Sequence, residues 1–345
     1  MASSSSMTCN YKLSCQCLGH SADVRGLAVI ENGLFLSASR DKTTKVWKKE
    51  ETTAEYTAVA TLGGHTNFVS CVCYVRPCST FKYGLIVTGG NDQVVCIFDP
   101  LSWQLINKLH GHTNTVCSLA TSNNGEGTFL SASWDATARL WRNCVSEITL
   151  TGHQAAVWCA IDLPKSNIIV TGSADKTISL WTPGGQRLKT LTGHTDCVRG
   201  LSVLTTTDFL SCGNDATIRR WCSTTGDCLF IYYGHSNFIY SVVVGPTGEF
   251  VSSAEDGTIR IWGDSDASGS TGCLQTITLP APTIWSVAYL PNGDILTGSS
   301  DGVIRIFTRD PARYAGDDAM EVFNEEWVAC STAAQEEIGG LKISD

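Results

Sequence analysis

Five times along this chain of 345 residues, a histidine, a hydroxyl residue, an aspartate and a tryptophan follow one another at nearly constant spacing. The sets are His20, Ser37, Asp41 and Trp47; His112, Ser131, Asp135 and Trp141; His153, Thr171, Asp175 and Trp181; His194, Ser211, Asp215 and Trp221; and His235, Ser252, Asp256 and Trp262. Histidine with a hydroxyl and a carboxylate is the inventory of nucleophilic acyl transfer, in which the imidazole takes the hydroxyl proton and the carboxylate orients the imidazole. Repetition argues against that chemistry, because five copies would mean five active sites. The chain also has no G-x-S-x-G turn to expose a catalytic serine and no G-x-x-x-x-G-K-[ST] loop to cradle phosphates. The same four groups make a self-sufficient hydrogen-bonding set when half-buried, since each needs a partner and each supplies one. The expectation is a structural network and no enzyme.

The elements that would hold such sets follow from the period. Gly-His occurs at His20, His65, His112, His153, His194 and His235, and an aspartate recurs at Asp41, Asp92, Asp135, Asp175, Asp215, Asp256 and Asp301. Successive aspartates lie 51, 43, 40, 40, 41 and 45 residues apart, a spacing that fits four short strands and their turns. Each has a hydroxyl residue four positions earlier and an aromatic six later, so seven units are present. Runs such as "GLAVI", "GLFLSAS" and "TTKVW" have the β-rich texture and turn punctuation of an all-β chain. The second unit has Phe98 for tryptophan, and the seventh has "LPAPTIW" for Gly-His and Phe307 for tryptophan. Those two are expected to be held more by packing than by the network. The seventh unit also lacks a fourth strand, so "YKLSCQCL" at the N-terminus is expected to close the ring as its outer strand, which removes the exposed edges. These residues resemble the WD-repeat family, which implies a seven-bladed β-propeller. The expected organisation is a disordered tail over 1–10, the propeller over 11–309, and an acidic tail over 310–345. Within that tail Met320, Phe323 and Trp327 are spaced for one face of a short helix, with Asp317 or Asp318 as its cap.

Bulk chemistry narrows the function. The net charge is −9; residues 310–345 hold nine acids against Arg313 and Lys342, which leaves −2 for the first 309 residues. Neither part offers the basic field that nucleic acid requires. No apolar run approaches the ~18 residues of a membrane span, and "MASSSSMTCN" lacks the basic and apolar regions of a secretory signal. The sixteen cysteines sit inside apolar runs such as "VSCVCYV" without any C-x-x-C pair. They read as small core residues in a reducing cytoplasmic or nuclear setting, with no metal and no cofactor.

In a four-stranded blade the Gly-His loop and the aspartate turn share one end, the family's upper face. The positions three and five after each histidine, or after Pro280 in the seventh unit, and the one before each aspartate, are expected to ring the channel mouth there. They include Asp23, Arg25, Arg40, Phe68, Trp134, Trp158, Arg199, Phe238, Tyr240, Glu255 and Trp285. Six aromatics with arginines between them have the composition of a protein-binding surface. Trp134, standing beside Asp135 in a polar turn, is read as a partner contact rather than as core.

The segments "VRGLAV", "GHTNFVSCVC", "TGGNDQVVCIF", "AEDGTIRIW" and "LPAPTIWSVAYLPNGDILTGSSDGVIRIF", followed by "DDAMEVFNEEW", resemble the phospholipase A-2-activating protein family over nearly the whole chain. The resemblance implies a monomeric propeller that binds ubiquitin on its upper face and serves as an adaptor in ubiquitin-dependent degradation or sorting. It also implies a second ubiquitin-binding domain and a helical domain that docks on valosin-containing protein; both fall outside this sequence, so that partner is not assigned to it. The family name carries no expectation of lipase activity. Two rival readings are a reader of basic, histone-like peptide tails and an assembly scaffold acting through the lower loops "RPCSTFKYG" and "GDSDASGSTG".

Overall fold

The structure, a computed structural model, describes residues 10–340 apart from 31–32, 52–54, 123–124, 165 and 264–271. The expected N-terminal tail and most of the lower loop 263–272 therefore lie outside the described residues. Seven four-stranded antiparallel sheets form the blades of a propeller. Blades 1 to 6 are continuous in sequence, with inner strands Val24–Val29, Val69–Val75, Val116–Thr121, Val157–Leu163, Val198–Val203 and Ile239–Val244. Blade 7 combines Ile284–Tyr289, Ile295–Ser299 and Ile304–Thr308 with Lys12–Cys17, which pairs antiparallel from Lys12↔Thr308 to Cys17↔Ile304. The N-terminal strand thus closes the ring, and no blade is left with a missing edge.

The core lies between blades. Each of the seven buried hydrophobic clusters draws on two neighbours: one joins Leu36, Val46 and Leu62 to Val69, Ile86 and Phe98, and another joins Cys15, Leu296 and Ile306 to Val24, Phe35 and Trp47. Cys15, Cys17, Cys71, Cys73, Cys96, Cys159 and Cys212 serve as small packing residues in these seams, whereas Cys228 is exposed. The Cys71 thiol donates to the Val116 carbonyl of the next blade at 3.5 Å and the Cys117 thiol to that of Val157 at 3.1 Å. Burial pushes the Cys73 thiol up to about 12. Closeness between blades also explains Gly172, where a Cβ would come within 2.7 Å of both Cys159 Sγ and Val198 Cγ1.

The repeated sets form one hydrogen-bonded chain in each of five blades. In blade 1, His20 Nδ1 lies 2.6 Å from Asp41, His20 Nε2 lies 2.7 Å from the Ser37 hydroxyl, and Trp47 Nε1 donates to that hydroxyl at 2.8 Å. The pattern repeats with His112, Ser131, Asp135 and Trp141, and with His153, Thr171, Asp175 and Trp181. It repeats again with His194, Ser211, Asp215 and Trp221, and with His235, Ser252, Asp256 and Trp262. A neutral imidazole satisfies all of it: Nδ1–H donates to the carboxylate, and Nε2 accepts from the hydroxyl whose oxygen accepts the indole N–H.

The two irregular blades depart from the expectation that packing would replace the network. Blade 2 keeps His65 at 2.8 Å from Asp92 and at 2.8 Å from Thr88. It lacks only the indole donor and, because Val94 stands where blades 1 and 3 to 6 have threonine, the short hydroxyl bond to the carboxylate, for which the Thr66 hydroxyl at 3.5 Å is a weaker substitute. Blade 7 replaces the histidine with the buried guanidinium of Arg305, which sits 2.8 Å from Asp301 and 3.0 Å from Glu326 and donates to Ser299 at 3.2 Å. Glu326 belongs to α1 (Asp317–Gly340), a 24-residue helix that forms most of the expected acidic tail. Met320 and Phe323 pack α1 against the Tyr11 and Leu13 cluster, and the helix climbs the outer strand of blade 7 toward the end where Asp301 lies. Trp327 does not share that face, being 42% exposed, because Glu326 takes the position toward the blade. Asp317 and Asp318 occupy the first turn, with Gly316 preceding them, and act on the helix dipole rather than as a cap.

Burial alone would raise the Asp175 carboxyl, but the Thr177 hydroxyl, the Gln154 N–H and His153 outweigh it and hold it at about 2. Asp215 sits at about 2, burial being outweighed there by His194 and Thr217. Burial lowers His20 and His153. Both kinds of group bind fewer protons folded than unfolded, so their contribution is present above the unfolded values of 6.5 and 3.8 and is lost as pH falls through the folded ones. Chemical denaturation should therefore show a midpoint that declines continuously from pH 7 to pH 3; a flat profile would contradict the network's role. Asp175→Ala should cost about 1–3 kcal/mol and Asp92→Ala an amount at the lower end of that range, since Asp92 lacks one charge-assisted bond.

Candidate functional site

The mouth of the channel is built from two backbone devices repeated in every blade. The residue before each aspartate donates its N–H to the carbonyl of the residue three after the histidine position: Arg40 to Asp23, Asn91 to Phe68, Trp134 to Thr115, Ala174 to Ala156, Asn214 to Cys197, Glu255 to Phe238 and Ser300 to Thr283. Each inner strand also carries a register shift at its first step, between Val24 and Gly26, Val69 and Cys71, Val116 and Ser118, Val157 and Cys159, Val198 and Gly200, Ile239 and Ser241, and Ile284 and Ser286. The residue inside each bulge has no cross-strand partner, and a bulge re-aims its side chain. These seven residues are Arg25, Ser70, Cys117, Trp158, Arg199, Tyr240 and Trp285, and all seven line the mouth cavity of about 300 Å³.

Rings and guanidiniums alternate around it. Trp134 lies 5.2 Å from Trp158, and the Arg199 guanidinium sits 3.9 Å over the Trp158 ring and 5.5 Å from that of Tyr240. Tyr240 lies 4.4 Å from Trp285, the Arg25 guanidinium covers Trp285 at 3.4 Å, and Arg40 stands 5.5 Å from Phe68 and 5.9 Å from Trp285. Contacts of this kind contribute ~0.5–2 kcal/mol each as the cation loses water. Asp23 bridges Arg40 at 3.2 Å and Arg25 at 3.6 Å, and the Asn214 carbonyl oxygen fixes Arg199 Nε at 2.7 Å. Burial, and then Arg40, hold the Arg25 guanidinium down at about 10, which still leaves it charged at neutral pH. Burial and the neighbouring Glu255 carboxylate push Tyr240 up to about 12, so its hydroxyl stays a donor.

Of the residues expected at the mouth, Arg25, Arg40, Phe68, Trp134, Trp158, Arg199, Tyr240 and Trp285 line the cavity, and Asp23 and Glu255 stand behind it as partners of Arg25, Arg40 and Tyr240. Phe238 is half-buried and does not line it, although Phe68 at the same place in blade 2 does. Trp134, 40% exposed, points to the mouth. Asn91, which accepts from Ser70 at 2.7 Å, Thr115, Cys117 and the Asn214 clamp also hold ring positions that the repeat marks, though they were not named as partner contacts. Small polar side chains give no compositional signal; only their place in the repeat marks them.

The family model "WD domain, G-beta repeat" matches residues 8–48, 56–99, 103–142, 144–182, 185–222, 226–263 and 271–308. The chain belongs to the WD-repeat family, as a propeller of the phospholipase A-2-activating protein type. It is 45% identical to phospholipase A-2-activating protein of Xenopus laevis over 161 residues, 46% of this chain and 20% of that one. It is 40% identical to ubiquitin homeostasis protein lub1 of Schizosaccharomyces pombe over 337 residues, 96% of this chain and 44% of that one. Among solved structures, the WD40 β-propeller domain of Doa1 superposes with a TM-score of 0.79 at 36% identity, covering 89% of this chain and all of that one. The chain thus spans less than half the length of these two curated relatives. No helix among the described residues is long and apolar enough to cross a membrane.

The mouth aromatics differ in what they hold. Trp134→Ala removes a largely free ring and should change stability by less than about 1 kcal/mol, whereas Trp285→Ala, which uncovers Arg25 and Tyr240, should cost about 2–3 kcal/mol. Denaturant titration separates the two; equal losses would place Trp134 in the blade packing.

Proposed function

We propose that this propeller binds ubiquitin across its upper face and acts as a non-catalytic adaptor in ubiquitin-dependent protein turnover in the cytoplasm or nucleus. The observation that carries the reading is the mouth itself, where five aromatic rings and three guanidiniums gather at one end of the ring. Aromatic and arginine side chains held by their own neighbours are the residue types that anchor protein interfaces at low entropic cost. A relative named for ubiquitin homeostasis that aligns along 96% of this chain supports the same reading. Against catalysis, the network hydroxyls of Ser37, Ser131, Thr171, Ser211 and Ser252 are fully buried and each accepts an indole N–H, so no substrate reaches them. A basic peptide tail is disfavoured by Arg25, Arg40 and Arg199 in the lining.

Titration of labelled mono-ubiquitin into the purified chain tests the reading. Single-domain binding should be micromolar or weaker. Trp134→Ala and Trp158→Ala should each weaken it by about 1–3 kcal/mol, while Lys82→Ala at the opposite end changes nothing. Parental affinity in both tryptophan variants, with melting unchanged, would remove ubiquitin from this face.

A further inference from the structure

The mouth cavity is too small for a folded partner. At about 300 Å³ it stands at the lower limit of ligand pockets and admits a chain end or one side chain. Its lining contains three guanidiniums and no carboxylate. Asp23 serves two of them, Arg25 and Arg40, and so compensates one charge of the pair. Arg199 is held by the neutral amide of Asn214 through Nε alone. Among the described residues, neither the Nη atoms of Arg199 nor the guanidinium of Arg25 has a hydrogen-bond acceptor within the protein. Arg25 and Arg199 also lie flat against Trp285 and Trp158, at 3.4 and 3.9 Å, which keeps these cations in a partly dehydrated place where an unmatched charge is costly.

We propose that the mouth is a carboxylate-binding subsite, in which Arg199 and Arg25 hold the carboxylate of an extended peptide segment while Trp158, Trp285 and Tyr240 pack its apolar neighbours. A guanidinium laid against a ring keeps its N–H edges free, and a planar carboxylate accepts two of them side by side. The carboxylate has two sources, an aspartate or glutamate side chain and a free C-terminus, and both present the same planar anion. The subsite does not depend on ubiquitin binding, since a folded domain could rest on Phe68 and Trp134 at the rim with the cavity empty or filled.

The three mouth tryptophans give the measurement, by fluorescence titration of the full chain. Four probes suffice: acetyl-Leu-Gly-Leu with a free carboxylate, the same peptide amidated, amidated acetyl-Leu-Glu-Leu, and amidated acetyl-Leu-phosphoserine-Leu. At least one carboxylate peptide should bind about tenfold or more tighter than the plain amide, as expected for charged hydrogen bonds. Preference for the free acid identifies a chain terminus, and preference for the glutamate peptide an internal acidic residue. Arg199→Gln and Arg25→Gln should each abolish the preference, and Arg199→Lys, which keeps the charge without the planar fork, should retain part of it. Binding of both carboxylate peptides no tighter than the plain amide by the parent protein overturns the proposal whatever the variants do. Tightest binding of the phosphoserine peptide overturns it in favour of a phosphate site, and a preference that survives both glutamine variants places the anion elsewhere. A carboxylate preference in the parent chain, together with parental ubiquitin affinity in both Trp134→Ala and Trp158→Ala, would sink only the ubiquitin reading.

Discussion

One aspartate carboxylate in each of blades 1 to 6 carries a disproportionate share of the architecture. It accepts from the imidazole of the Gly-His loop, from a backbone N–H just after that histidine and from the turn that follows it, as Asp135 does from His112, Thr113 and Thr137. Two loops that are distant in sequence are thereby fixed to each other at one end of the blade. Those same loops supply the mouth, so the positions of Trp134, Arg40 and Phe68 are set by buried hydrogen bonds beneath them. A charged acceptor with several donors is stronger than the same bonds made to neutral groups, which is why a short polar turn can hold a large ring still.

Blade 7 achieves the same end with different chemistry. It has no histidine, and its polar centre is occupied by Arg305, a cation that would be intolerable in that place without Asp301 and Glu326. The second of these acids comes from α1, so the helix is part of the blade's electrostatic balance as well as a cover for Tyr11 and Leu13. The blade that joins the two ends of the propeller is thus tied by a strand from the N-terminus and by a helix that follows the last strand.

The mouth is uneven by construction. Blades 4, 6 and 7 place large aromatics in the bulge, blades 1 and 5 place arginines, and blades 2 and 3 place serine and cysteine. The result is a wall of alternating rings and cations facing a side where small residues leave room. Cations packed on rings are pre-ordered and only partly hydrated, a state suited to receiving a partner without further ordering cost.

By itself, the sequence determined the number of blades, the closure by "YKLSCQCL", the hydrogen-bonding sets and the register of the mouth, because these follow from spacing and residue type. The position five after each histidine, or after Pro280 in the seventh unit, was legible as a mouth position in all seven units. Left to the tertiary structure were matters that depend on neighbours remote in sequence. The bulge that turns Arg25 or Trp158 into the channel is a pairing irregularity between strands, invisible in either strand alone. Phe238 and Tyr240 are two residues apart, yet only Tyr240, which sits in a bulge, lines the cavity, while Phe68 lines it from the place in blade 2 that Phe238 holds in blade 6. Arg305 reads as an ordinary outward residue of "VIRIF" until the fold brings Asp301 and Glu326 to it. The acidic tail shows the spacing of a helix face in Met320 and Phe323, but the surface that buries them, the Tyr11 and Leu13 cluster, comes from the other end of the chain. Local pattern specifies which strands form and where they turn; which charges are paired and which rings are covered is settled only when distant strands meet and water leaves the space between them.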